Sequence, residues 1–267
     1  MKSKAISIHS SRGGTGKTVI ATNLAVILAN KGFNIALLDL DFRAPSLAMV
    51  FSKGTECQVR WWINDFLNGR CSANQVLVDV SEMYRLKGKL LVGLADPSIE
   101  AIRSTMEKSR AWEVTAVKKL HSLLNSLFDD MNINCCIFDT SPGVQYSSIN
   151  SAISSDLSVI ITTLDSLDLK GTQNILLDLY DALSKKAVVL VNKFSPETRI
   201  LQNETQYDLV FKVQKMLKHR VIGVIPCYCD VLQADRSSIL AIEKSSHPFI
   251  EKLEEVAEKL EQLIQAD

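Results

Sequence analysis

Short apolar runs of strand length recur along the chain, and helical patterns fill the gaps between them. The runs are Ala5 to Ser10 (AISIHS), Asn34 to Leu40 (NIALLDL), Gly88 to Ala95 (GKLLVGLA), Ile133 to Thr140 (INCCIFDT), Leu157 to Leu164 (LSVIITTL), Lys186 to Asn192 (KAVVLVN) and Arg220 to Pro226 (RVIGVIP). Most are apolar at successive positions, so both faces of each strand are covered, as in a parallel sheet. Helical periodicity falls on Lys17 to Asn30, Ala111 to Phe128, Leu169 to Leu183, Tyr207 to Lys218 and Pro248 to Ile264. Strands alternating with helices predict an α/β fold. The sheet is expected to be doubly wound, mostly parallel and twisted, flanked by helices, with ligands at the carboxyl ends of its strands. Residues 1–267 read as a single domain. The least regular part runs from Phe51 to Lys87.

Composition narrows the picture. Apolar residues make up 46% of the chain, enough for a full core. Basic and acidic residues balance at 30 each. A protein that coats nucleic acid is usually more basic, so any such contact is confined to a local patch. No stretch approaches about 18 consecutive apolar residues, the length of a membrane span. The opening MKSKAISIHS has an apolar run too short for a secretory signal. Six cysteines, at 57, 71, 135, 136, 227 and 229, form no disulfide framework in a chain of this size. A cytoplasmic location is expected.

The segment HSSRGGTGKTVIATN follows the first strand and leads into the first helix. Gly13, Gly14 and Gly16 let the backbone turn tightly and aim its N–H groups inward. The helix adds its positive end at the same spot. Lys17 is then placed to reach β- and γ-phosphates, and the Thr18 hydroxyl to complete a Mg²⁺ shell. A plain glycine turn before a lysine is the alternative. The usual phosphate loop has glycine five residues before Gly16, where this chain has Ser11. A second cation, Arg12, stands directly before the glycines.

RGGTGKT resembles the deviant Walker A motif, KGG-x-GK-[ST], of the MinD/ParA/Mrp group of ATPases. The resemblance continues through LLDLDFRAPSL, CCIFDTSPG, VVLVNKF and VIGVIPCYCDVLQA, in that group's order and over nearly the whole chain. It implies ATP and Mg²⁺ as cofactors and a homodimer formed with ATP. The extra cation then crosses the dimer interface to the partner's nucleotide. Here it is arginine where the group has lysine, and arginine grips phosphate with two donors. An arginine that simply tops the loop of a monomer is the other reading.

The resemblance also assigns roles along the chain. The catalytic set is Arg12, Lys17 and Asp41, with Asp41 orienting the attacking water. Asp39 and Asp41 lie two apart in an extended segment and are expected on one face, toward the γ-phosphate. The nucleotide is expected against Gly13, Gly14, Thr15, Gly16, Lys17, Thr18 and Val19, with Asp139, Gly143, Asn192 and Pro226. Thr18, Asp39 and Asp139 are expected to support the metal, Asp139 through its water shell. Gly143 resembles the switch glycine whose N–H contacts the γ-phosphate. Asn192 is placed to read the adenine edge, although a strand-end asparagine is also an ordinary turn former. Ser195 replaces the aspartate of the guanine-binding NK-x-D pattern, which favours ATP over GTP.

The engine leaves the cargo open. Lys212, Lys215, Lys218 and Arg220 make a local basic strip able to meet DNA phosphates without sequence preference; a solvated helix face explains the same residues. The last helix is amphipathic, but Glu251 to Glu261 holds five glutamates and two lysines, so it reads as core packing and no strong membrane anchor. Cys227-Tyr228-Cys229 is not the C-x-x-C of the iron–sulfur carriers in this group, yet paired across a dimer it could bind a soft metal. Cys135-Cys136 reads as core. Trp61-Trp62 either seals the core edge or offers one indole to a partner. The expectation is an ATP-dependent dimerisation switch with slow hydrolysis, serving chromosome or plasmid partitioning or spatial positioning, with a protein partner that activates it. A metallocofactor carrier and a non-hydrolysing scaffold are the alternatives.

Overall fold

The computed structural model describes residues 3–52, 59–195, 206–235 and 237–265. The strands are β1 (Lys4–His9), β2 (Ile35–Leu40), β3 (Leu77–Asp79), β4 (Leu90–Gly93), β5 (Cys135–Thr140), β6 (Leu157–Thr162), β7 (Ala187–Phe194) and β8 (Val221–Pro226). They form one eight-stranded sheet in the order β3-β4-β2-β5-β1-β6-β7-β8. Every pair is parallel except β3 with β4. The doubly wound, mostly parallel sheet matches the hydrophobic pattern. β3 was not expected: three residues on the sheet edge are too few to carry a period.

The longer helices are α1 (Lys17–Asn30), α2 (Ile99–Met106), α3 (Arg110–Asn125), α4 (Tyr146–Ser154), α5 (Ser166–Ile175), α6 (Gln206–Leu217) and α7 (Pro248–Gln265). α3 and α5 run on into wider turns, Ser126–Asp130 and Leu176–Asp181. α5 starts earlier than its apolar pattern because Asp165 caps it, accepting from the N–H groups of Leu167 and Asp168 at 3.0 and 3.1 Å. α2 and α4 each carry only a short apolar stripe, Ile99, Ile102 and Met106 in the first and Tyr146, Ile149 and Ile153 in the second. α2 buries none of its residues, and α4 buries Ser148, Ser151 and Ser154 beside Ala152.

Strand residues alternate between two faces, as the period of two requires. Ile6, Ile8, Leu37 and Cys135 join the core under α1 and α7, while Ala5, Leu38 and Cys136 join the one under α3. Both cysteines are buried core residues; burial pushes the Cys135 thiol up to about 12. A third cluster packs β6, β7 and β8 against α6 and the turn containing Tyr180.

α7 turns Phe249, Ile250, Leu253, Val256, Ala257, Leu260 and Ile264 inward, the stripe seen in the sequence. It packs as a core helix against α1 and β8. Trp61 and Trp62 precede the short helix Ile63–Leu67 and are both half-buried. Trp61 packs into the α3 side of the sheet and Trp62 into the α1 side, so the pair straddles the core edge. Among the described residues, no helix is long and apolar enough to cross a membrane. Cys57 lies outside the described residues.

Candidate functional site

The glycine loop leaves β1 in the middle of the sheet, between β5 and β6. Gly14 and Gly16 adopt φ of 81° and 99°, in the left-handed region that glycine tolerates. Gly16 has a second constraint: a Cβ there would sit 2.5 Å from the Asn192 amide nitrogen. Asn192 Nδ2 donates to the Thr15 carbonyl at 2.7 Å, and Lys193 Nζ donates to the Gly14 carbonyl at 2.7 Å. The end of β7 thus braces the loop from across the cleft.

Lys17 is buried at the start of α1, where Nζ donates to Ser10 Oγ at 3.0 Å. Burial lowers its pKa, and the charges of Asp139, Asp41 and Asp168 work against that. The Thr18 hydroxyl donates to Asp139 Oδ2 at 2.6 Å and lies 3.1 Å from Ser46 Oγ. Asp139 Oδ1 is buried and has no hydrogen-bond partner, and neither has Thr15 Oγ1. Burial raises Asp139 to about 7, against the Thr18 hydrogen bond and the Lys17 charge. An orphaned carboxylate oxygen beside a hydroxyl is a donor set that suits a hard cation such as Mg²⁺.

Asp39 and Asp41, expected on one face, have different surroundings. Asp39 is fully buried, and its Oδ2 accepts the N–H groups of Ser46 and Leu47, both at 3.1 Å. Its Oδ1 accepts the Asp41 N–H at 3.0 Å. It therefore shapes the loop after β2 and, like Asp139, does not itself line the cleft; what separates the two is that both of its carboxylate oxygens are engaged. Burial and the neighbouring Asp139 raise its pKa well above the usual carboxylate range. Asp41 does line the cleft. Its Oδ1 accepts the Ser141 hydroxyl at 2.8 Å and the Ala44 N–H at 3.2 Å, tying the loops after β2 and β5 together.

Gly143 is in the left-handed region, φ 73°. Its N–H donates to the Ser10 carbonyl at 2.8 Å, so here it faces the glycine loop and not the cleft. Arg12 is half-exposed and reaches Asp165 of its own chain at 3.5 Å. It too stands outside the cleft lining.

The cleft has a volume of about 670 Å³, within the range of small-molecule sites. Gly13, Gly14, Gly16, Lys17, Thr18 and Val19 line it together with Asp41, Asn192 and Pro226. Cys227 also lines it, and its N–H donates to the Phe194 carbonyl at 2.7 Å. Among the described residues, no three His, Cys, Asp or Glu side chains gather into a metal-binding group.

Two features of the loop were not visible in the sequence. Ser11, standing where a glycine is usual, donates to Asp168 Oδ1 at 2.6 Å. Gly171 leaves room for it, since a Cβ at Gly171 would lie 2.9 Å from Ser11 Oγ. Ser46 is the second missed contact, beside Thr18. The acidic first turn of α5, Asp165 to Asp168, is the one local signal that pointed to the first.

A family model for the CobQ/CobB/MinD/ParA nucleotide binding domain matches residues 6–240, a span that includes these cleft residues. The chain belongs to this family. It is 26% identical over 225 residues to a putative septum site-determining protein MinD from Chlorella vulgaris, covering 84% of this chain and 72% of that protein. Among solved structures it resembles MinD from Pyrococcus horikoshii complexed with Mg-ADP, with a TM-score of 0.75, 18% identity, and 98% and 97% of the two chains covered. It also resembles a putative plasmid partition protein from Borrelia burgdorferi bound to AMPPNP, with a TM-score of 0.74, 18% identity and both chains covered in full. At such identities the two structures speak for the fold alone.

Proposed function

We propose that this member of the MinD/ParA ATPase family is an ATP-dependent dimerisation switch that hydrolyses ATP slowly and serves chromosome or plasmid partitioning or spatial positioning. The observation that carries this reading is the buried, orphaned Asp139 Oδ1 beside Thr18, which with Lys17 lines a cleft of nucleotide size.

In this reading the glycine loop N–H groups and Lys17 hold the phosphates. Thr18 and Asp139 hold Mg²⁺, which supplies charge neutralisation to the phosphates when bound. Asp41, at the junction of two loops, orients the attacking water. Asn192 offers the adenine edge the amide groups that its bond to the Thr15 carbonyl leaves over, beside Pro226 in the cleft lining. Arg12, exposed on the loop, is free to exchange its long ion pair with Asp165 for a partner subunit's phosphate. The exposed Lys212, Lys215, Lys218 and Arg220 cluster at the end of α6 and the start of β8, and a DNA contact would be made there.

One variant tests the reading. Asp41→Ala, loaded with ATP and Mg²⁺, is expected to form a dimer that does not turn over. The dimer mass, DNA retention across a salt series, and liposome capture are read side by side. DNA retention that needs ATP and falls steeply with salt supports partitioning. Hydrolysis at the wild-type rate sinks the role of Asp41, and a protein that stays monomeric with ATP sinks the switch.

A further inference from the structure

β1 ends on a histidine that lies beneath the nucleotide cleft without lining it. His9 is fully buried. Its Nε2 lies 2.9 Å from the Gly143 carbonyl oxygen and its Nδ1 2.8 Å from the Tyr180 hydroxyl. A carbonyl oxygen only accepts, so Nε2 carries the proton and donates. Burial lowers the His9 pKa to about 4, leaving the ring neutral at ordinary pH. Nδ1 is then an acceptor, and the Tyr180 hydroxyl donates to it. Tyr180 is itself fully buried and also meets Ser7 and Ser158. Those two serines share a hydrogen bond of 2.6 Å. The tautomer of His9 is thus set by a chain of buried groups.

The other end of that chain is the glycine of the loop after β5. The Gly143 carbonyl accepts from His9 and from Ser148 Oγ at 2.7 Å, while its N–H donates to the Ser10 carbonyl at 2.8 Å. Both polar groups of Gly143 are therefore engaged by β1, the glycine loop and α4. A γ-phosphate that recruits this N–H must first break its bond to Ser10 and turn the Pro142–Gly143 peptide about a Cα whose other peptide His9 holds by the Gly143 carbonyl. A diphosphate asks for no such turn.

We propose that His9, its Nε2–H held on the Gly143 carbonyl and its ring braced by the Tyr180 hydroxyl, is a positioning residue that latches Gly143 in its disengaged orientation and so sets how strongly the site distinguishes triphosphate from diphosphate. The inference rests on the ATP-switch reading. A ligand shifts a two-state element only by its differential affinity for the two states. Loosening the latch should therefore favour the triphosphate alone. One neutral hydrogen bond sets the scale at about 3- to 10-fold.

The test is the affinity of the full chain for AMPPNP and for ADP, each with Mg²⁺, in four proteins. His9→Leu removes the latch and is expected to tighten AMPPNP about 3- to 10-fold while ADP stays within about twofold. Tyr180→Phe removes the donor to Nδ1 and so loosens the ring, and is expected to move the ratio the same way by less. His9→Gln can present an N–H near the Nε2 position and is expected to restore the wild-type ratio. A purely structural role would lower the melting temperature and weaken both nucleotides alike. An AMPPNP-to-ADP ratio that stays at the wild-type value in both His9→Leu and Tyr180→Phe overturns the latch. If His9→Leu does not fold, Tyr180→Phe decides the matter. A wild-type chain that binds neither nucleotide refutes the ATP reading itself, and the two failures are distinct.

Discussion

Asp39 on β2 and Asp139 on β5 stand opposite each other in register on adjacent parallel strands, both buried at the carboxyl end of the sheet. Like charges so placed resist joint ionisation, and burial adds to that. Asp39 has three backbone N–H partners, whereas Asp139 keeps an oxygen without any. The asymmetry ties one carboxylate into the loop and leaves the other with an unpartnered oxygen.

A pH-dependent stability difference follows for the metal-free protein. Asp139 has a folded pKa raised from 3.8 to about 7, so the folded state holds its proton longer than the unfolded chain. Its contribution is fully present below pH 3.8 and is lost as pH rises through about 7. His9, lowered from 6.5 to about 4, pulls the other way over much of that window. The comparison with Asp139→Asn removes the His9 contribution and reads Asp139 together with its relief of Asp39, whose pKa Asp139 also raises. The melting temperature of the variant minus that of wild type is expected to climb between pH 4 and about 7 and level off above. A flat difference across that window counts against the raised pKa, and added Mg²⁺ should shrink the difference by binding wild type.

Gly16→Ala is expected to abolish nucleotide binding. The φ of 99° strains any side chain, and the new methyl would meet the Asn192 amide at 2.5 Å. The strain costs roughly 1 kcal/mol or more, and relieving the clash pulls Asn192 off the Thr15 carbonyl. Calorimetric titration with ADP reads the outcome; wild-type affinity would show that the loop and Asn192 are not coupled.

Arg12→Ala should separate folding from switching. The Arg12–Asp165 pair is about half-exposed and 3.5 Å long, so it adds less than about 1 kcal/mol. The melting temperature is expected to hold, while ATP-dependent dimerisation is lost and hydrolysis falls by about 10³-fold if the guanidinium acts in trans. Sedimentation with AMPPNP reads the first and phosphate release the second. A variant that dimerises and hydrolyses like wild type returns Arg12 to the role of a loop cap.

Leu253→Ala probes α7. Leu253 is fully buried against the sheet, and truncation of such a leucine costs about 2–5 kcal/mol. Urea unfolding should report a loss in that range. A loss under about 0.5 kcal/mol, as at an exposed site, would mean that α7 detaches from the core in solution.

Much of the molecule is legible along the chain. Each long apolar run became a strand, because a central parallel strand needs apolar residues on both faces and shows it over a few positions. α1 and α7 carry their burial in the same local way. The elements that escaped are short, or have burial that is polar or absent: Leu47–Val50 and Ile63–Leu67 bury apolar residues over too few positions to show a period. α4 buries serines that bond to nearby backbone, as Ser148 does to Gly143, and α2 buries nothing. β3 takes its place from β4, not from its own pattern.

The sequence alone determined the chemistry available: a glycine loop with a lysine and a threonine behind it, aspartates at strand ends, and an asparagine at the end of β7. It did so because glycine conformation, strand period and helix caps act over a few neighbouring residues. Only the tertiary structure decided which of these groups meet. Asn192 braces Thr15 across 177 residues of chain, Ser11 finds Asp168 across 157, and His9 reaches Gly143 across 134. Strand order brings them together, and it turned Asp39 inward while leaving Asp41 on the cleft. Strand order is settled by packing among distant segments, so no local pattern records it.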